Sequence, residues 1–323
     1  MAFSDIKGQD KAIEILKGIM IRGRLAHAYL FTGDKGVGKY LTAKTFAKAL
    51  NCMYEGTYSQ FDSCGLCSSC IKIEKGIHPD VFELQPEKGQ IKVDMIRKLE
   101  DDFSLKAFEG KWKIALIDDA ETLNPYAGNA FLKTLEEPPQ MSLMILITSR
   151  PDILLPTIRS RCQNIHFTPL RSCDMEALLK EKGYDNVSLI SCLSGGRVGL
   201  ALDSIVHGDR DDAFSKISGL CKSADFPLWE KRDDIIEWID WMLLFLRDMA
   251  VSYYSNDLFI NHDIAFELKD MMHHVKEQDL LHLVDEMLKL KGLLRFNLNK
   301  QLTEFYIGSL IKKTFGRINK EHV

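Results

Sequence analysis

The stretch "AYLFTGDKGVGKYLTAKTFAKAL", residues 28–50, constrains the fold of this chain more than any other. It joins a short apolar run to a helical pattern through a glycine-rich loop, the order of strand, loop and helix that a phosphate-binding loop requires. Gly33, Gly36 and Gly38 permit positive φ and close backbone approach, so that successive N–H groups and a helix N-terminus can face one anion. Lys39 is spaced to reach β- and γ-phosphates, and Lys35, Val37 and Leu41 complete the loop and its helix start. Tyr40 departs from the pattern, because that position ordinarily carries a serine or threonine whose hydroxyl holds Mg2+. The expectation is an intact anion cradle for ATP or ADP beside a damaged Mg2+ site. On these letters alone, a glycine turn before a helix is the alternative.

Three more apolar runs follow: "VFEL" at 81, "KIALID" at 113 and "LMILIT" at 143. Apolar strands separated by helical patterns predict an α/β domain whose parallel sheet is covered on both faces. The run "KIALID" leads into Asp118 and Asp119, which is how a Walker B carboxylate is placed beside the phosphates. Asp118 can hold Mg2+ through water, and Asp119 stands where a water-polarising glutamate is usual. Thr148 and Ser149 end the last run where a group sensing the γ-phosphate would sit. Arg197, in "SGGRVGLAL", opens a later helix that can fold over the phosphates. For these residues a strand-end cap or a surface arginine is the plainer alternative.

Beyond "IHFTPL" the pattern is helical to the end. The predicted division has an α/β domain over 1–167, a small helical domain over 168–208 and an all-helical domain over 209–323, with His207-Gly208 as a boundary signal. Trp238, Trp241 and Phe245 recur at helical spacing and read as core. "IKKTFGRINK" reads as a solvated basic tail.

The net charge of −4 excludes a uniformly basic nucleic-acid binder. The N-terminus lacks an apolar signal region and no stretch reaches about 18 uninterrupted apolar residues, so neither secretion nor a membrane span is expected, and the chain reads as cytoplasmic. In a reducing compartment, clustered cysteines are candidate metal ligands. Cys52, Cys64, Cys67 and Cys70 lie in "NCMYEGTYSQFDSCGLCSSC", a spacing that lets four thiolates converge on one structural Zn2+ in a module over 52–70. An iron–sulfur cluster is the rival. Cys162, Cys173, Cys192 and Cys221 are isolated and read as small buried apolar residues.

Together these residues resemble the bacterial clamp-loader subunits of the AAA+ superfamily, and among them the delta-prime type of DNA polymerase III. The resemblance runs through "FSDIKGQDKA", the glycine loop, "CGLCSSC", "GIHPDV", "DDAETLNPYAGNAFLKTLEEPP" and "LLPTIRSRCQ", and "LSGGRVGLAL" extends it. It implies an AAA+ domain, a lid and a helical collar, in an arc of subunits that places a sliding clamp on primer-template DNA. Gamma/tau and delta subunits are the implied partners. It also implies that Ser160-Arg161-Cys162 projects Arg161 into a neighbour's ATP as a trans arginine finger, with an internal salt bridge as the alternative role. Ile6 falls in the segment that packs against adenine in this superfamily. Delta-prime subunits commonly lack a working ATPase site and act as the stationary member, which Tyr40 and Asp119 fit. The competing expectations are an active gamma/tau-like ATPase and a zinc module that reads nucleic acid. Against the latter, only Lys72 and Lys75 follow the last cysteine closely, and no aromatic alternates with them.

Overall fold

A computed structural model describes residues 2–54, 61–184, 187–202, 205–222, 229, 232–255, 259–272, 275–294 and 298–316. Residues 55–60 of the cysteine-rich stretch and 317–323 of the basic tail lie outside these. The chain divides into two compact units, Met1–Leu202 and Asp203–Val323.

The first unit begins with helix α1 (Asp10–Arg22), strand β1 (Ala28–Thr32) and helix α2 (Lys39–Asn51). Helix α3 (Ser68–Glu74), β2 (Val81–Leu84), α4 (Val93–Ser104) and β3 (Lys113–Ile117) follow, then α5 (Pro125–Glu136), β4 (Ser142–Thr148), α6 (Pro156–Arg159) and β5 (Gln163–His166). The strands form one sheet in the order β2-β3-β4-β1-β5, and every pairing is parallel. The period of two then decides the layers. Tyr29, Phe31, Ile114, Leu116, Ile145 and Ile147 pack on one face with Leu16 of α1 and Phe46 of α2. Leu30, Ala115, Ile117, Met144 and Leu146 pack on the other with Leu99 and Phe103 of α4 and Phe131 of α5. The α/β expectation and its four runs therefore hold, and β5 is an addition. In β5 only Ile165 is buried, as suits an edge strand, so no apolar run announces it.

Thr32 pairs with Thr148, which sets the C-terminal ends of β1 and β4 side by side. Connections leave β1 toward β2 and β4 toward β5, in opposite directions along the sheet. The crevice above these two strand ends is where open α/β sheets bind ligands.

Helices α7 (Ser172–Glu181), α8 (Val187–Ser194) and α9 (Val198–Leu202) enclose a small core of Leu170, Met175, Leu179, Ile190 and Ala201. Gly196 separates α8 from α9 at φ +80°, and a Cβ there would sit 2.3 Å from the Leu170 carbonyl oxygen. This bare-backbone contact fixes how α9 leaves the turn.

The second unit is helical: α10 (Ile205–Lys222), α11 (Arg232–Ser252), α12 (Ala265–Met271), α13 (Glu277–Leu293) and α14 (Lys300–Phe315). Trp238 and Phe245 are buried and Trp241 packs against the same core. His207 and Gly208 fall inside α10, and the division between units lies before them. A helical glycine costs only about 1 kcal/mol, which the rest of a long helix offsets. Two isolated cysteines differ from expectation: Cys173 on α7 and Cys192 on α8 are exposed, because each sits on the outer face of its helix. Cys162 is half-buried. Among the described residues no helix is long and apolar enough to cross a membrane.

Candidate nucleotide site and metal centre

The glycine loop leaves β1 at Thr32 and enters α2 at Lys39 with φ values of +144°, +85° and +96° at Gly33, Gly36 and Gly38. At Gly33 the constraint is also steric, since a Cβ would lie 2.4 Å from the Phe167 carbonyl oxygen. Gly38 is the N-cap of α2 and brings no side-chain cap, so the first N–H groups of the helix face the loop without intrahelical acceptors. That is the construction of an anion site, and a phosphate chain fits it.

The Lys39 ammonium is buried and donates to the carbonyl oxygens of Gly33 at 2.6 Å and Asp34 at 2.7 Å. Burial lowers its pKa. Glu121 acts most strongly in the opposite sense, ahead of Asp118, Asp119 and Asp34. From α9, the Gly199 N–H donates to the Gly36 carbonyl at 2.7 Å, and a Cβ at Gly199 would stand 3.1 Å from the Gly36 Cα. The helix that Arg197 precedes therefore rests on the loop, while the Arg197 guanidinium donates to Ser194 at 3.0 Å. Ile6 and Val37 are buried in the apolar cluster beneath, Leu41 packs against that cluster, and Lys35 is exposed. Gln9 ties the start of α1 to this region by donating to Val37 at 3.1 Å and Thr168 at 2.7 Å.

Tyr40 turns away from the loop. Its hydroxyl donates to Glu83 Oε2 on β2, and Lys44 holds Glu83 Oε1 at 2.9 Å. Burial, then the Glu83 bond, pushes the phenol pKa well above its usual value. The first turn of α2 thus presents no hydroxyl from position 40 to a metal.

On the other side of Lys39, Asp118 and Asp119 follow β3. Burial and then the Asp119 charge raise the Asp118 carboxyl above the usual range. Asp119 takes up φ +46° at the start of a short turn. Glu121 was missed as a site residue, although it is the last letter of "IALIDDAE". Its side chain is 3% exposed, and its Oε1 accepts from the Ser149 hydroxyl at 2.8 Å and the Ser149 N–H at 3.3 Å. Burial pushes its pKa up, but bonds from Thr148 and Ser149 outweigh this and hold it below the usual range. Thr148 is buried and its Oγ1 also accepts from the Arg150 N–H at 3.0 Å. Beside the loop opens a cavity of about 690 Å³ lined by Thr32, Gly33, Asp34, Ser149, Arg159 and His166, among others.

Arg161 follows α6 at the surface. It donates to the Thr157 carbonyl at 2.9 Å and to Glu136 at 2.7 Å, with 36% of its side chain and 52% of its partner's exposed. A pair this exposed contributes roughly 0–1 kcal/mol, so another anion can draw the guanidinium away at little cost.

The four clustered cysteines converge. Cys52 follows α2, Cys67 caps α3, Cys70 lies within α3, and all four sulfurs lie within 4.8 Å of one another. The Cys52–Cys67 and Cys64–Cys70 separations are both 3.9 Å. Zn–S bonds of about 2.3 Å in a tetrahedron demand sulfurs about 3.8 Å apart, so the set fits structural zinc. Cys67 N–H points at Cys64 Sγ (3.3 Å) and Cys70 N–H at Cys67 Sγ (3.4 Å), the kind of outer bonding that orients thiolate ligands.

The "GIHPD" stretch anchors this module. Asp80 is buried and accepts from the N–H groups of Phe108, Glu109 and Gly110 at 2.7–2.8 Å. His78 meets the Ser69 hydroxyl of α3 at 3.2 Å and accepts from the Asp80 N–H at 3.1 Å. Asn51, the last residue of α2, accepts from Lys111 at 3.0 Å and Trp112 at 2.8 Å.

The comparisons with known proteins meet this geometry. A family model described as "DNA polymerase III, delta subunit" matches residues 8–171. The chain is 30% identical over 314 residues to the DNA polymerase III subunit delta' of Bacillus subtilis, covering 91% of this chain and 93% of that protein. It is 34% identical over 243 residues to subunit delta' of Pseudomonas aeruginosa, covering 70% and 73%. It is also 38% identical over 176 residues to subunit tau of Escherichia coli, covering 54% of this chain but only 26% of that longer protein. The tau match confines itself to part of the chain, whereas the delta' match spans nearly all of it: the chain belongs to the clamp-loader family of DNA polymerase III, with the delta-prime subunits.

Proposed function

We propose that the chain is a delta-prime-like stator: a subunit that turns over little or no ATP itself and donates Arg161 in trans to a neighbouring motor subunit's ATP. The observation that carries this reading is the Tyr40 hydroxyl, spent on Glu83 at the position where an active site needs a metal-binding hydroxyl. Asp119, shorter than the usual glutamate, supports it. Arg161 stands at the surface in a weak pair, and a fixed guanidinium brought to a transferring phosphoryl group is worth about three to five orders of magnitude in rate. Within this reading Gly33–Leu41, Asp118, Asp119, Thr148 and Arg197 surround the chain's own nucleotide, and Ile6 lies near its base. Residues 168–202 form the lid and 203–323 the collar through which it joins gamma/tau and delta subunits. Sliding clamp and primer-template DNA are met through the complex, in the cytoplasm, and the cysteine cluster holds structural Zn2+.

The experiment is made on the reconstituted complex. Arg161→Ala is expected to leave assembly intact and to lower DNA-stimulated ATP hydrolysis by at least tenfold at the junction it serves. An unchanged rate refutes the finger. A second reading, an active gamma/tau-like ATPase, draws on the intact glycines and Lys39. Hydrolysis by the isolated chain at the rate of a motor subunit, abolished by Lys39→Ala, would establish it instead.

A further inference from the structure

We infer that Glu121 makes this chain's own nucleotide site selective for a nucleoside diphosphate over a triphosphate, by setting a buried negative charge where a third phosphate would have to lie. The inference deepens the reading of the glycine loop as a nucleotide cradle and rests on it.

Three observations converge. The end of β4 lies beside the start of the loop, since Thr148 is in register with Thr32. The Ser149 groups that could donate to a terminal phosphate are already engaged, the hydroxyl and the N–H both being given to Glu121 Oε1. The second oxygen, Oε2, is buried with no hydrogen-bond partner among the described residues, so that side of the carboxylate is dehydrated. The nearest guanidinium, that of Arg150, stands 3.7 Å from Oε1 and is 61% exposed.

Lys39 locates this charge relative to a ligand. Its ammonium is the group that reaches the outer phosphates, and Glu121 is the carboxylate that acts on it most strongly. A diphosphate can end against the open N–H groups of α2 and the lysine. A triphosphate must extend past them toward Glu121, in a setting where water screens little. Mg2+ would ordinarily offset that repulsion, but the hydroxyl that would help to hold it is the one Tyr40 commits to Glu83. Anionic repulsion and a weakened metal site thus act in the same direction.

Isothermal titration of the purified full-length chain with ADP and with ATP, with and without Mg2+, tests this without reference to turnover. The unmodified chain is expected to bind ADP at least tenfold more tightly than ATP. Glu121→Gln keeps the shape and an acceptor for Ser149 while removing the charge, and is expected to bring the two affinities within about threefold by tightening ATP alone. Ser149→Ala removes a donor but not the charge and is expected to keep the ADP preference. Far-ultraviolet circular dichroism and melting curves verify that each variant is folded, and if Glu121→Gln unfolds, Glu121→Met, also uncharged and of similar size, is titrated in its place with the same expectation. ATP bound as tightly as ADP by the unmodified chain overturns the selectivity while leaving the cradle intact. An unchanged preference in folded Glu121→Gln overturns the role of the carboxylate. Binding of neither nucleotide at millimolar concentration overturns the cradle itself, and the selectivity with it. The Arg161 assay on the complex stands apart from all three outcomes.

Discussion

Replacing Tyr40 separates two consequences of one side chain. Tyr40→Phe deletes only the hydroxyl that Glu83 accepts, and a hydrogen bond to a charged group is worth about 1.5–3 kcal/mol. Lys44 keeps its 2.9 Å contact with Glu83, so the carboxylate is left partnered and the loss should fall near the middle of that range, about 2 kcal/mol. For a unit the size of Met1–Leu202 each kcal/mol lowers Tm by about 2–4 °C, which predicts a fall of about 4–8 °C in its transition. Tyr40→Thr also gives up the half-buried ring, raising the loss to about 3–4 kcal/mol. It places a hydroxyl at the first turn of α2, and is expected to make nucleotide binding strengthen on adding Mg2+, which Tyr40→Phe cannot do. Scanning calorimetry gives the first effect and titration with and without Mg2+ the second. An unshifted transition in Tyr40→Phe refutes the energetic account. A Tyr40→Thr protein that binds nucleotide no better with Mg2+ than Tyr40→Phe refutes the metal argument.

Metal removal and acid test the zinc module and its anchor. Metal analysis is expected to find one zinc per chain, and chelation or Cys70→Ser to lower the Tm of the first unit, because metal-binding free energy is folding free energy; equal Tm values for metal-free and metal-loaded protein would contradict this. Asp80 is opposed by burial, but three backbone N–H bonds outweigh it and hold its carboxyl below the usual value. Its stabilisation is therefore present above the unfolded pKa near 4 and is lost as pH falls through the folded one. Asp80→Ala, which strands three N–H groups, is expected to cost about 3 kcal/mol or more at pH 7. In urea titrations, the smaller gap between wild type and Asp80→Asn should narrow as pH falls below about 4, and a gap independent of pH would count against the account.

What the sequence revealed follows from how each feature is encoded. The loop, β1, β3 and β4 were legible because their glycines and unbroken apolar runs report local needs: positive φ and burial on both faces. The four cysteines were legible because three of them recur at C-x2-C-x2-C spacing, a local pattern that lets thiolates converge on one metal. The strand β5 was hidden because an edge strand with one buried residue has no apolar signature. Glu121 was hidden for a different reason. Its importance comes from Ser149, in the neighbouring strand's exit, and a buried acid looks like a surface acid in sequence. The same holds for Tyr40: its letter revealed what it could not do, whereas Glu83, 43 residues away, determines what it does. The exposed cysteines of α7 and α8 were misread because residue preference was used where helix phase decides.

Helix α2 has the glycine cradle at one end and a thiolate just past the other. Its 13 residues span about 20 Å, and over that length orientation is carried by helical phase alone. Deleting one residue between Thr42 and Leu50 would turn one end against the other by about 100°, aiming either Lys39 away from its carbonyls or Cys52 away from the other three sulfurs. The helix thus behaves as a spacer of fixed pitch. A substitution acts only where its own side chain packs, whereas a change of length would register at both ends at once.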